Sequence, residues 1–251
     1  AADIDLEDPP LDPVLIDGIL RQGHKMIITS ASKAGKTFLV LDLAIAITKG
    51  AEWLGHQCEK GNVLYVNLEI ARPSLHNRLK AIYAARGYPP HSMDGLYVWN
   101  LRGKVMDLEK LTPKLIRRVG AMGLDAIIVD PIYKVQGGDE NSAEAIGRFC
   151  ATFDKIAEET GASMIYVHHH AKGAAGGKKV SDRGSGSGVF ARDADAIVDF
   201  SSLVLDANEK EMLGALTGKL TAPPIPLRLE MVLRSFRSPE PLNLFFEFPL
   251  H

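Results

Sequence analysis

The sequence predicts an α/β fold: a mainly parallel sheet flanked by helices, with antiparallel strands added at its C-terminal edge. Three observations carry this. Apolar, β-branched runs alternate with segments of helical period from Lys25 to Val167, the pattern of strands buried on both faces by crossover helices. The first of these runs passes through a tight polar loop, residues 30–37, straight into an apolar helix. Beyond residue 196 the apolar runs follow one another without long helices between them, so those strands extend the sheet antiparallel.

Taken in order, residues 1–14 are acidic and carry Pro9, Pro10 and Pro13, which predicts an extended arm preceding one domain over residues 15–251. Leu15 to Leu20 reads as a short apolar turn. Lys25 to Thr29 is the first strand and Lys36 to Lys49 the helix after the loop, closed by Gly50, a residue suited to the left-handed end of a helix. Asn62 to Leu68 is the second core strand, ending beside Glu69. In Arg72 to Arg86 the apolar residues Leu75, Leu79, Ile82 and Tyr83 recur at helical spacing. Leu96 to Trp99 is a short strand, Leu108 to Met122 a helix, and Asp125 to Asp130 a third core strand ending in an acid. A helix is expected over Ser142 to Thr160, then a strand from Ser163 to Val167 running into His168, His169 and His170. Residues 171–188 have almost nothing to bury, which predicts a mobile loop. Ala196 to Leu205, Leu227 to Phe236 and Leu242 to Phe248 read as the last strands, with a helical piece from Glu209 to Leu216.

Composition sets the class without choosing the function. Hydrophobic residues make up 46% and charged residues 24% of the 251, with a net charge of −2, as in an ordinary globular domain. That balance gives no global attraction to nucleic acid, though a local basic loop remains open. Cys58 and Cys150 are too few for a disulfide framework and read as buried thiols of a reducing, cytoplasmic compartment. No apolar run is long enough to span a bilayer, and the acidic start lacks the features of a signal peptide.

The chemistry concentrates at three strand ends. Ser30-Ala31-Ser32-Lys33-Ala34-Gly35-Lys36-Thr37, with Phe38 after it, ends in the Gly-Lys-Thr of a phosphate-binding loop. In such a loop backbone N–H groups and a helix N-terminus face the phosphates. Lys36 would reach the β- and γ-phosphates, and Thr37 would hold Mg²⁺. Ser30 stands where the pattern asks for glycine. Asp130, after four apolar residues, is a second Mg²⁺-directed group, and Glu69 a candidate base for activating water. Each acid also fits the plainer role of a solvated strand end. Alternation along a strand lets at most two of the three histidines share a centre, which disfavours a zinc site and favours contact with a phosphate; a purely structural cap is the alternative. Lys172, Lys178, Lys179 and Arg183, with Arg192 beyond, form a flexible cationic stretch that either tracks a phosphodiester backbone or is simply solvated. Arg234 and Arg237 flank the last turn, either as surface residues or as charge stabilisers for a neighbouring site.

Ser-Lys-Ala-Gly-Lys-Thr at 32–37, Tyr-Val-Asn-Leu-Glu at 65–69, Ile-Ile-Val-Asp-Pro at 127–131, Val-His-His-His-Ala-Lys-Gly at 167–173 and Gly-Ser-Gly-Ser-Gly-Val-Phe-Ala-Arg-Asp at 184–193 together resemble the RecA-type hexameric ATPases. Within them the match is to the RepA-like plasmid replicative helicases and related ATPases of mobile elements. The resemblance implies a RecA-like P-loop NTPase fold, ATP and Mg²⁺ as ligands, and sites at the subunit interfaces of a ring such as a hexamer. It also implies Glu69 as base, Asp130 as the acid of the metal shell, and His168 or His169 as γ-phosphate sensor. Arg234, with Arg237 beside it, falls nearest the place of an arginine acting across the interface, and the loop at 171–188 corresponds to one that holds single-stranded DNA. The function implied is ATP hydrolysis coupled to movement on single-stranded DNA. A recombination or signalling ATPase without unwinding, and a nucleotide-gated binding module with little turnover, are the alternatives.

Overall fold

A computed structural model describes residues 10–30, 34–89, 92–104, 108–134, 143–169, 180, 189–217 and 224–251. Eight strands form the central sheet: β3 (Lys25–Ser30), β6 (Val63–Asn67), β7 (Leu96–Asn100), β8 (Ala126–Asp130), β9 (Ser163–His169), β10 (Ala196–Ser202), β11 (Ile225–Leu233) and β12 (Leu242–Phe246). Their order is β12-β11-β10-β3-β9-β8-β6-β7. From β10 to β7 every neighbouring pair is parallel, whereas β11 and β12 join antiparallel. This is the expected sheet.

The helices are α1 (Lys36–Lys49), α2 (Arg72–Ala85), α3 (Leu108–Val119), α4 (Ala143–Thr160), α5 (Val189–Asp193) and α6 (Ala207–Thr217). Alternation along each strand divides the core into two layers. Met26, Ile28, Tyr65, Ile128, Ile165, Val167, Val198 and Phe200 face α1 and α2. Ile27, Leu64, Val66, Ile127, Val129, Tyr166 and Ile197 face α3, α4 and α5. In α2 the buried residues are Leu75, Leu79, Ile82 and Tyr83, the four that the helical spacing selects.

Helix α1 is apolar all round, and its residues from Leu39 to Thr48 are buried; such a helix must be covered on its outer side as well. The cover consists of two small hairpins that the sequence reading did not anticipate. β1 (Val14–Ile16) pairs with β2 (Leu20–Arg21), and β4 (Glu52–Trp53) with β5 (His56–Gln57). Leu15 to Leu20 is thus a hairpin rather than a bare turn, and Val14 belongs to it rather than to the arm. Asp17 N donates to Gln57 O at 2.8 Å and Glu59 N to Leu15 O at 2.9 Å, which ties the two hairpins together. Trp53, Ile16, Ile19 and Cys58 are buried against α1. One charge is enclosed there, Asp42, and Arg86 holds it with Nη2 at 2.7 Å from Oδ2 and Nε on Oδ1. Pairing of this kind is what permits a buried carboxylate.

Strand ends differ modestly from expectation. β9 continues through His169, β10 stops at Ser202, and β11 starts at Ile225 and stops at Leu233. Each end is set by ladder partners, such as Ser30 opposite His169, that local composition does not encode.

Candidate functional site

The parallel strands all point their C-terminal ends to one edge of the sheet, the edge at which ligands of such sheets bind. There Ser30 pairs with His169 and with Phe200, and Asn67 with Asp130. Residues distant in sequence are thereby aligned in one row.

At the centre of that row, Gly35 precedes α1 with φ +78°, a left-handed conformation costly for any residue with a Cβ. No side chain caps the helix there, and the positive end of its dipole favours an anion at the loop. Lys36 is buried, and its ammonium donates to both the carbonyl and the hydroxyl of Ser30, each at 3.0 Å. Serine at position 30 therefore adds an acceptor that glycine lacks. Burial brings the Lys36 pKa down to about 8, against an opposing pull from Asp130, Glu69 and Asp199. Ala34 is buried, and Thr37 and Phe38 are partly buried. Ala31, Ser32 and Lys33, also expected in the loop, lie outside the described residues.

Asp130 is buried at the end of β8 and accepts hydrogen bonds from the Thr37 hydroxyl and from Tyr65 Oη, the latter at 2.7 Å. Burial raises its pKa, Tyr65 and Thr37 lower it, and the net direction is upward. The Thr37–Asp130 contact is the observation that fits Mg²⁺: a hydroxyl and a carboxylate converge beside the ammonium that would hold phosphate. Glu69 is exposed two residues beyond β6. Asn67 shapes the chain there, accepting from Ile70 N at 2.9 Å and Glu69 N at 3.3 Å and donating to Ile70 O at 2.6 Å. That clasp fixes the backbone from which Glu69 projects.

The two described histidines part company, as alternation requires. His169 lies on the same face of β9 as Ile165 and Val167, which pack toward α1, with its ring 5.5 Å from that of Tyr133. His168 lies on the other face, buried, with its ring 5.1 Å from Phe190. His169 thus shares the α1 side of the sheet with Tyr65, and His168 does not.

Arg234 and Arg237 lie at the opposite end of the sheet. Leu233 pairs with Ala196, which pairs with Met26 at the start of β3, four residues or roughly 13 Å from Ser30. Arg234 Nη1 is 2.9 Å from Asp195 Oδ1, and Nη2 donates to Arg192 O at 2.6 Å. Arg237 is exposed. Neither serves the phosphate loop of its own chain. Lys172, Lys178, Lys179 and Arg183, and His170 with them, lie outside the described residues.

Four contributors receive no role from the sequence, although Tyr65 and Asn67 lie within the Tyr-Val-Asn-Leu-Glu run at 65–69. Tyr65 and Asn67 look like ordinary strand residues. Asp199, fully buried in β10, accepts a hydrogen bond from Thr29 Oγ1 at 2.5 Å; an acid inside the run Ala196-Ile197-Val198-Asp199-Phe200 was the available signal. His251 is hydrogen-bonded to the Ala34 backbone, and burial pushes its pKa down to about 4. Nothing in the sequence links it to the loop.

A family model described as an AAA domain matches residues 1–175 of this chain. Among solved structures, the chain is similar to a KaiC-like protein from the hyperthermophilic archaeon Pyrococcus horikoshii OT3, with 18% identity and a TM-score of 0.58 over 94% of this chain and 90% of that one. At that identity the likeness is one of fold, and it agrees with the RecA-like sheet.

Proposed function

The chain belongs to the AAA-domain family, and from that premise we propose that it is a RecA-type, Mg²⁺-dependent ATP hydrolase. The reading rests on one observation above the others: Lys36 and Thr37 at the start of α1 and Asp130 at the end of β8 converge beside the phosphate-binding loop. ATP would sit with its phosphates against residues 34–37. Lys36 leaves Ser30 to hold the β- and γ-phosphate oxygens, and the α1 N–H groups hold the rest. Thr37 and Asp130 would hold Mg²⁺, which supplies neutralising charge at the β- and γ-phosphates when bound.

Glu69 accepts a proton from a water aligned with the γ-phosphorus, whose oxygen forms the new P–O bond as the bond to the β-phosphate oxygen breaks. The products are ADP and inorganic phosphate. Lys36 offsets the charge on the leaving oxygen, and His169, on the α1 side, is the better placed of the two histidines to sense the γ-phosphate. An arginine from a neighbouring copy would complete the site, with Arg234 or Arg237 as its source in a ring.

Coupling to single-stranded DNA, as in plasmid or mobile-element replication, rests on the motif resemblance and on Lys172, Lys178, Lys179 and Arg183. The second reading is an ATPase of recombination or signalling that does not unwind; the ion pair that Arg234 makes with Asp195 of its own chain bears only on that arginine's reach to a neighbouring copy. ATP turnover measured against protein concentration, with and without single-stranded DNA, separates these. Stimulation by DNA with salt-sensitive binding supports the translocating form, and turnover indifferent to DNA leaves the second. A negligible rate, unchanged in Glu69→Gln, leaves only a nucleotide-gated binding module.

A further inference from the structure

The phosphate loop has a second flank that the proposed chemistry does not use. After β12 the chain makes a tight turn, with Glu247 and Leu250 exchanging backbone hydrogen bonds at 2.9 and 2.8 Å. The turn returns His251 to the loop: a Cβ built on Gly35 would lie 3.0 Å from His251 Nε2 and 3.3 Å from Phe246 Cγ. The His251 ring is 4.6 Å from that of Phe246 and 5.9 Å from that of Phe200. At the tip of the turn Phe248 is 66% exposed. Its ring stands edge-on to Phe38, with centroids 5.2 Å apart, and Phe38 also packs against Phe246 at 5.4 Å. Arg78 covers the Phe38 ring from α2, 4.7 Å from its centroid.

Phe38 is thus surrounded, while Phe248 beside it presents a large apolar ring to water. A single sugar joins the base of a nucleotide to its α-phosphate, so a base whose phosphates lie on residues 34–37 must land close to the start of α1. The carboxylates and His169 occupy the β9–β8–β6 side. The aromatic residues occupy the other, and a purine or pyrimidine has the π-face that such rings stack on.

We propose that the solvent-facing ring of Phe248, supported by Phe38 and Phe246, is the platform on which the base of the bound nucleotide stacks. This rests on the reading of residues 34–37 as a triphosphate site. Stacking accepts any base, so the platform adds affinity for a nucleotide over bare polyphosphate without selecting adenine.

The test compares the unaltered chain with Phe248→Ala, a substitution at an exposed site, by calorimetric titration with Mg²⁺-ATP and separately with Mg²⁺ and inorganic tripolyphosphate. ATP binding should weaken about tenfold in Phe248→Ala, in line with the loss of one base–aromatic stack, while tripolyphosphate binding stays unchanged. Phe248→Trp should restore ATP binding, and its indole emission should respond to ATP but not to tripolyphosphate. An equal loss for both ligands, or a loss for neither, overturns the platform and leaves the phosphate site standing. A change of molecular mass in Phe248→Ala with ATP affinity intact assigns the ring to a contact between copies and likewise overturns it. Failure of both ligands to bind the unaltered chain overturns the phosphate site, and the platform with it.

Discussion

The two sides of β3 are built from opposite chemistry. Toward β9, β8 and β6 the strand ends carry His169, Asp130 and Glu69, with Tyr65 and Thr37 hydrogen-bonded to the central acid. Toward β10, β11 and β12 the same edge carries Phe200, Phe246, Phe248 and His251. Both sides meet at Gly35 and Lys36. The difference matches a ligand that is charged at one end and flat and apolar at the other. It also teaches that parallel strands and returning antiparallel strands bring different residue types to one edge. Parallel strands end there in loops, where Glu69 stays exposed and the buried Asp130 finds hydrogen-bond partners, while β12 and its turn must fold back over apolar core.

The largest effect expected is on the charged side. Lys36→Ala should abolish turnover, because no other described cation is hydrogen-bonded within the loop. Glu69→Gln should lower turnover by about 10²–10⁴-fold with ATP affinity nearly intact, as a steady-state assay paired with a binding titration will show. If the two variants lose affinity equally, Glu69 acts on binding and the division of the site is wrong. Gly35→Ala touches both sides, because a φ of +78° strains any residue with a Cβ and that Cβ would crowd His251 and Phe246 at 3.0 and 3.3 Å. It should cost about 1–3 kcal/mol of stability in a denaturant titration and weaken ATP and tripolyphosphate together.

A subtler division appears with pH. Lys36 is charged below its pKa of about 8 and neutral above it. Because bound phosphate requires the ammonium, ATP affinity should decline above pH 8, approaching tenfold per pH unit. Among the described residues the aromatic side carries Phe200, Phe246, Phe248 and His251, whose pKa is pushed down to about 4, so the ratio of ATP to tripolyphosphate affinity should stay constant across that range. A ratio that changes would place a titrating group on the base side. The smallest effect belongs to Ser30→Gly. Removing the hydroxyl leaves Lys36 the Ser30 carbonyl as acceptor, so ATP affinity should change by less than about threefold. A large change would make the hydroxyl a ligand contact.

Much of this molecule could be read in advance where a single segment carries its own signal. The places of residues 30–37, Asp130 and Glu69 at or just past strand ends follow from the apolar runs before them, and the buried face of α2 follows from Leu75, Leu79, Ile82 and Tyr83. The two hairpins over α1 were not legible, since Leu15 to Leu20 and Glu52 to Gln57 are too short for a period to show. Tyr65 and Asn67 were hidden because their work depends on strands more than thirty residues away, through Asp130 and Asn100.

By itself the sequence determined the parallel sheet with its antiparallel edge, the position of the phosphate loop, and the alternation that sends His168 and His169 to opposite faces. Hydrophobic period and backbone sterics act over a few residues, so they are written locally. Only the tertiary structure decided which histidine faces α1, that Arg234 is tied to Asp195 far from Lys36, and that Phe248 and His251 return to Gly35. Those outcomes depend on strand order and register. These are chosen by the total area buried across the whole sheet, a quantity that no single segment contains.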